Sequence, residues 1–144
     1  MTRIDRSALV SFSAAQMYDL VNDIESYPEF MHGCVAASVI SRDGNELVGS
    51  LTLSKAGLKH TFTTRNKLVR NREMSMELVE GAFRHFNACW RFKPLTETAC
   101  KVTLEMDFAF VGGVMDFALE KLFRGTANAL VDEVVERAQV IYGQ

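Results

Sequence analysis

Hydrophobic and polar residues alternate along several stretches of this chain, and near its C-terminal end they follow a helical period instead. Alternation over residues 58–68 and 101–110 is typical of antiparallel strands with one face in a core and one in water. From Val114 to Tyr142 the period is helical, which over that length predicts a helix of roughly 40 Å. Its apolar stripe comprises Met115, Leu119, Leu122, Phe123, Ala127, Leu130, Val134, Ala138 and Ile141. The pattern predicts a long C-terminal helix covering the apolar face of a sheet.

Shorter elements are predicted before this sheet. A strand is expected from Ile4 to Val10, and Ser13 is suited to cap a helix with its apolar side at Met17, Leu20 and Val21. Pro28 favours a second short helical turn, which Gly33 ends. Two short helices therefore follow the first strand.

Turn residues divide the remaining sequence into strands. The segment 42–45 has hairpin composition, and further turns are predicted at 71–72, 81–86 and 94–98, with Gly112-Gly113 ending the last strand. The order of elements predicts an α+β helix-grip fold, in which a curved antiparallel sheet wraps around the C-terminal helix. We treat residues 1–144 as one ligand-binding domain.

Polar residues on the predicted inner face indicate where a ligand could bind. His60, Thr64 and Asn66 interleave with apolar residues, and an unpaired buried polar group costs about 1–3 kcal/mol. They either pair with one another or line a cavity, and both explanations remain open. Methionines facing the same space would adapt to a variable apolar ligand, although they are also ordinary core residues. The predicted ligand-binding residues are His60, Phe62, Thr64, Met76, Trp90, Met106, Met115, Leu119 and Phe123.

Catalytic and metal-binding motifs are missing from the sequence. It has no GxSxG, no glycine-rich phosphate loop and no HExxH, and its three histidines lie on separate predicted elements. The three cysteines are odd in number and lack CxxC spacing, which is typical of reduced thiols. We therefore predict a binding protein, not an enzyme, with no catalytic residue, metal or cofactor other than a bound lipid.

Charge is distributed unevenly along the chain. The net charge of −2 argues against a DNA-binding protein. Between Leu47 and Arg72, however, there are basic residues and no acidic one. They form either a solvated strand face or a partner-binding strip, for which the candidates are Lys55, Lys59, Arg65, Lys67 and Arg70. Without a membrane-spanning run or signal peptide, a cytoplasmic location is expected.

Several motifs together resemble the RatA family of ribosome-association toxins and coenzyme Q-binding proteins, within the START-like polyketide cyclase and lipid transport superfamily. They are SAAQMYDLVNDI at 13–24, YPEF at 27–30, Gly33-Cys34, SKAGL at 54–58, FTTRN at 62–66 and WRFKPL at 90–95. The resemblance covers essentially the whole chain. One departure is Ala82, where such proteins usually carry proline. Without the proline, the loop around this position is less rigid.

This resemblance implies two different functions. The first is ubiquinone binding in a hydrophobic tunnel in support of respiration. For that function the basic strip would steer the protein into transient contact with the inner membrane surface, where quinone resides. The second is binding to the large ribosomal subunit, which blocks subunit association and translation initiation. We expect the cavity mouth at the loop 81–87 and at Gly112-Gly113, because both have turn or hinge composition at strand ends.

Overall fold

The computed structural model describes residues 1–112 and 114–143. For residues 114–116 it describes the backbone alone. Its elements follow the predicted order and confirm the helix-grip fold class. They are β1 (Thr2–Val10), α1 (Ala14–Asn22), a short 3₁₀ helix (Ile24–Glu29), β2 (Cys34–Asp43), β3 (Glu46–Lys55), β4 (Leu58–Val69), β5 (Glu73–Glu80), β6 (Phe83–Thr96), β7 (Ala99–Phe110) and α2 (Val114–Tyr142).

The strands form one antiparallel sheet in the order β1-β7-β6-β5-β4-β3-β2. The first strand, β1, pairs with the last strand, β7, and both contact α2. The inner face carries large buried side chains, among them Trp90, Phe92 and Phe108, while Lys59, Arg65 and Lys67 face solvent. The predicted inward and outward faces of β4 are therefore confirmed.

Ser13 caps α1 as predicted. Its hydroxyl accepts a hydrogen bond from the Gln16 backbone N–H at 3.1 Å, and the Gln16 side chain accepts one from the Ser13 N–H at 2.9 Å. This reciprocal pair satisfies two amide groups that would otherwise lack partners at the helix start. The helix buries Met17, Leu20 and Val21 against the sheet.

The helix α2 has the predicted bounds and most of the predicted stripe. Phe123, Ala127, Leu130, Val134 and Ala138 are buried, whereas Leu119 and Leu122 are half-buried. Ile141 is 45% exposed, so its assignment to the buried stripe is wrong, and Val131 is buried instead. The side chain of Met115 lies outside the described residues.

The C-terminal half of α2 is tied to the first third of the chain. The Arg137 guanidinium pairs with Glu29 at 2.9 Å, and Glu133 accepts a hydrogen bond from the His32 backbone N–H at 2.9 Å. The Tyr142 hydroxyl donates to the Gln16 carbonyl at 3.1 Å. These contacts fix this half of the helix relative to α1 and the 3₁₀ helix.

Two predicted turns around β6 are wrong. The turn before it consists of Gly81 and Ala82 alone, because the strand already begins at Phe83. A register shift between Phe83 and His85 interrupts the alternation, which is why the sequence of this segment does not look like a strand. At its other end β6 continues through Pro94 to Thr96, where a second shift accommodates the proline.

Candidate functional site

An apolar void lies between the inner face of the sheet and the middle of α2. Its volume is about 30 Å³, which is room for roughly two water molecules. Its lining includes five predicted ligand-binding residues, namely Phe62, Met76, Trp90, Met106 and Phe123. The structure thus brings these side chains from β4, β5, β6, β7 and α2 to one place.

The other side chains of this void were not among the predicted ligand-binding residues. They are Tyr27, Met31, Leu51, Phe86, Thr126, Ala127 and Leu130. Tyr27 lies in the YPEF motif, but only the fold shows that the 3₁₀ helix closes one side of the void. Its hydroxyl donates to the Val21 carbonyl at 2.5 Å, and burial raises the pKa of Tyr27, so the phenol stays neutral. Phe86 was missed because its segment was predicted to be a turn.

A second, more polar void of about 20 Å³ lies beside the first. Thr64 and Asn66 border it and pair with each other, because the Thr64 hydroxyl donates to Asn66 Oδ1 at 2.7 Å. The Asn66 amide in turn contacts Met74 Sδ at 3.7 Å, which is a weak acceptor. Internal pairing and a cavity lining, the two explanations left open by the sequence, therefore both apply to these residues.

His60 is buried among aromatic rings and does not line either void. Its ring centroid lies 5.3 Å from those of Phe83 and Phe110. The Ala82 backbone N–H donates to His60 Nε2 at 3.3 Å, so the proton of the neutral ring is on Nδ1. Nδ1 has no hydrogen-bond partner among the described residues. Burial lowers the pKa of His60, which keeps the ring neutral.

Leu119 also lies apart from both voids. It is half-buried on α2 and packs against the core. Of the predicted ligand-binding set, His60 and Leu119 are therefore neighbours of the cavity region and not part of its present lining.

An open groove of about 440 Å³ runs along the outside of α2, between this helix and the turn that joins β3 to β4. Its lining residues are Lys55, Ala56, Leu58, Ala118, Lys121, Leu122 and Gly125. Leu122 and Gly125 each precede, along the helix, a residue that lines the inner void. One segment of α2 therefore separates the groove from the void.

Most of the loop predicted to form the cavity mouth is part of a strand. Residues 83–87 belong to β6, with Phe83 and Phe86 buried. Gly81 is in tight contact with the core, since a Cβ added there would lie 2.8 Å from the Cβ of Phe62. The prediction for Gly113 lies outside the described residues.

Two of the five residues of the predicted basic strip are paired with acids of neighbouring strands. Arg65 pairs with Glu46 of β3 at 3.5 Å, and Lys67 pairs with Glu77 of β5 at 3.5 Å. The acid-free stretch of sequence is therefore not an acid-free surface. Lys55, Lys59 and Arg70 are exposed and form no ion pair with any described side chain.

No group of three side chains suited to bind a metal ion occurs among the residues that the structure describes. Within the same part of the chain, no helix is both long and apolar enough to cross a bilayer.

Similarity to known proteins agrees with this geometry. Residues 10–135 match the family described as polyketide cyclase / dehydrase and lipid transport. The chain belongs to this family. Over 144 residues, covering all of both chains, it is 42% identical to a Vibrio cholerae serotype O1 protein named ribosome association toxin RatA.

More distant relatives extend the comparison in two directions. A Xenopus laevis protein named coenzyme Q-binding protein COQ10 homolog B, mitochondrial, is 22% identical over 142 residues, which cover 96% of this chain and 58% of the relative. The crystal structure of Zhui aromatase/cyclase from a Streptomyces species superimposes with a TM-score of 0.83 at 16% identity, covering 99% of this chain and 97% of that one. Such low identity shows the shared fold alone.

Proposed function

We propose that this protein is a non-enzymatic carrier of an apolar lipid of the ubiquinone type. The observation that carries the proposal is the void beneath α2, whose lining is apolar except for the Tyr27 and Thr126 hydroxyl groups and the Trp90 indole N–H. The name of the Xenopus laevis relative supports a quinone as the ligand.

The void must widen before such a ligand can enter. Small-molecule sites measure roughly 300–1,000 Å³, about ten times or more the volume present here. Met31, Met76 and Met106 are flexible lining residues that can change rotamer at little cost. The open groove on the other side of α2 indicates that this helix segment is the wall that moves.

Carriage, not tight storage, follows from the energetics. Burying each CH₂ group of an isoprenoid tail stabilises the complex by about 0.8 kcal/mol relative to water. A bilayer offers an equally apolar environment, so transfer between protein and membrane is nearly balanced. The protein would then exchange its ligand with membranes.

Mass spectrometry of lipid extracted from the purified protein tests this function. We expect quinone in protein from a quinone-rich host and uptake of quinone from vesicles. Ala127→Leu places three extra carbon atoms against the void and should reduce quinone occupancy at least tenfold. The control Ala138→Leu adds the same atoms to the same buried stripe of α2 but away from the void, so folded protein should keep the parent's occupancy. Quinone-free parent protein that also takes up none from vesicles would refute the proposal.

We propose association with the large ribosomal subunit as a second candidate function, because the Vibrio cholerae relative carries that name. Phosphate contacts need clustered cations, and the basic strip supplies Lys55, Lys59 and Arg70 without competing carboxylates among the described side chains. Binding would prevent subunit joining and hence translation initiation.

Cosedimentation with large ribosomal subunits at rising salt tests this second function. We expect binding to weaken steeply with salt, and Lys59→Glu/Arg70→Glu to weaken it further. Lys93→Glu/Lys101→Glu makes the same change of charge on exposed lysines at the β6–β7 end of the sheet. Equal loss in both variants would show that only overall charge matters.

A further inference from the structure

The surface around the open groove combines positive charge with exposed apolar side chains. We define this rim surface as Lys55, Ala56 and Leu58 of the β3–β4 hairpin with Phe117, Ala118 and Lys121 of α2. All except Phe117 line the groove, and Phe117 directly precedes Ala118 in the helix. The α2 part of the rim surface therefore lies on the outer side of the helix that separates the groove from the inner void.

The lysines of the rim surface are available to an anionic partner. Neither Lys55 nor Lys121 pairs with a carboxylate of the described residues. The nearby Glu120 is engaged by Arg124 at 3.7 Å and by the Thr2 hydroxyl at 2.5 Å. Arg65 and Lys67 in the middle of β4 are paired with acids, whereas Lys59 beside the hairpin forms no ion pair with a described side chain.

Two apolar side chains of the rim surface, Phe117 and Ala56, are exposed, while Leu58 and Ala118 are half-buried. Phe117 is 74% exposed and lies one helical turn before Lys121, so both project from the same side of α2. At the hairpin tip, Ala56 has φ +53° and Gly57 has φ +82°. A two-residue turn of this kind favours asparagine or glycine at its first position, yet the chain places an apolar alanine there. The tip thus presents no polar side chain between Lys55 and Leu58.

We propose that the rim surface docks the protein on bilayers that contain anionic phospholipids, with Phe117 and the hairpin tip among the headgroups and the lysines against phosphates. This inference rests on the proposed lipid carriage, which requires contact with a membrane. Aromatic side chains favour the bilayer interface, and lysines near its surface gain from its negative potential. RNA phosphates would also attract the lysines but would leave the Phe117 ring without an apolar environment.

Flotation with vesicles tests docking directly. The vesicles contain either phosphatidylcholine alone or equal parts of phosphatidylcholine and phosphatidylglycerol. Lys55→Gln/Lys121→Gln should weaken binding to the anionic vesicles about 30-fold, from about 1 kcal/mol for each lysine. Phe117→Ser should weaken it about tenfold or more, because the ring no longer leaves water.

Matched controls lie at the opposite end of the sheet. Lys93→Gln/Lys101→Gln removes two exposed lysines that face each other on β6 and β7, and Leu95→Ser removes an apolar side chain that is 50% exposed. Both should float like the parent. Equal losses in rim and control variants, or no flotation of the parent with anionic vesicles, would overturn the docking proposal.

Two further measurements on the same preparations separate this proposal from the others. Quinone-loaded protein that never floats overturns docking and leaves carriage intact, whereas protein that floats but neither contains nor takes up lipid supports docking and overturns carriage. If Lys55→Gln/Lys121→Gln floats like the parent but no longer cosediments with large ribosomal subunits, the lysines serve RNA and the docking proposal fails.

Discussion

At the scale of single residues, the pair Thr64 and Asn66 decides whether polar groups on the inner face serve the fold or a ligand. Asn66→Leu alone leaves the buried Thr64 hydroxyl without its acceptor and should lower the free energy of unfolding by about 1–3 kcal/mol. Adding Thr64→Val removes the stranded donor, so the double variant should recover much of that loss. Urea unfolding of the parent, both single variants and the double variant measures the coupling.

The same double variant reports on binding. If Thr64 and Asn66 serve the core alone, a well-folded double variant will keep the quinone occupancy of the parent. Reduced occupancy at restored stability would instead assign the polar void to the ligand site. Additive unfolding energies of the two single variants would contradict the hydrogen bond on which this prediction depends.

His60 should make stability depend on pH. Its pKa in the folded protein is lowered by burial, whereas in the unfolded chain it is about 6.5. Below about pH 6.5 the unfolded chain binds more protons than the folded protein, so this contribution is complete above that pH and is lost as the pH falls through the folded pKa. His60→Phe should therefore flatten the decline in the free energy of unfolding on acidification.

Unfolding in urea at a series of pH values between about 7.5 and 5 measures that decline. The parent protein, measured in the same buffers, provides the reference slope. An unchanged slope in His60→Phe would show that the buried ring does not carry the effect. Alternation along β4 predicted that His60 points inward, but only the fold shows that aromatic rings surround it.

At the scale of elements, Gly125 is the weak point of α2. It is exposed between the groove and the inner void, and an added Cβ would meet no heavy atom within 4 Å. Because glycine is about 1 kcal/mol less favourable than alanine in a helix, Gly125→Ala should stabilise the protein by up to that amount. A stiffer wall between groove and void should also slow the transfer of quinone to vesicles.

Thermal unfolding and quinone transfer from the same preparation test both effects. Glu136→Ala raises helix propensity at an exposed site in the tethered C-terminal half, so it should not slow transfer. Faster transfer in Gly125→Ala would contradict the assignment of this segment as the moving wall.

Elements with a strong period could be predicted from the sequence, and elements with a broken period could not. The position of α2 could be predicted because a buried apolar stripe runs along it from Phe123 to Ala138. The start of β6 was wrong because the register shift at Phe83 and His85 places neighbouring residues out of alternation. The predicted cavity mouth was placed there as a result of that error.

At the scale of the whole molecule, the partners of each charge depend on strand register. Glu46 and Glu77 lie outside the sequence between Leu47 and Arg72. Strand register nevertheless places Glu46 of β3 opposite Lys67 of β4, and Glu77 of β5 opposite Arg65 of β4. On the outward face of β4, Arg65 and Lys67 therefore have acidic partners, whereas Lys55, Lys59 and Arg70 of the basic strip have none among the described side chains. Long-range pairing of this kind has no local signature in the sequence.

Hydrogen exchange across the whole chain tests where the molecule opens. Residues 83–87 are part of β6 and should be protected like residues 61–68 of β4, whereas the hairpin tip at 55–58 should exchange faster. Added quinone should slow exchange in the segment 119–127 of α2 and leave the β1–β7 pairing unchanged. If residues 83–87 exchange as fast as 55–58, the opening lies at the Gly81 turn, and the groove beside α2 is not the route to the void.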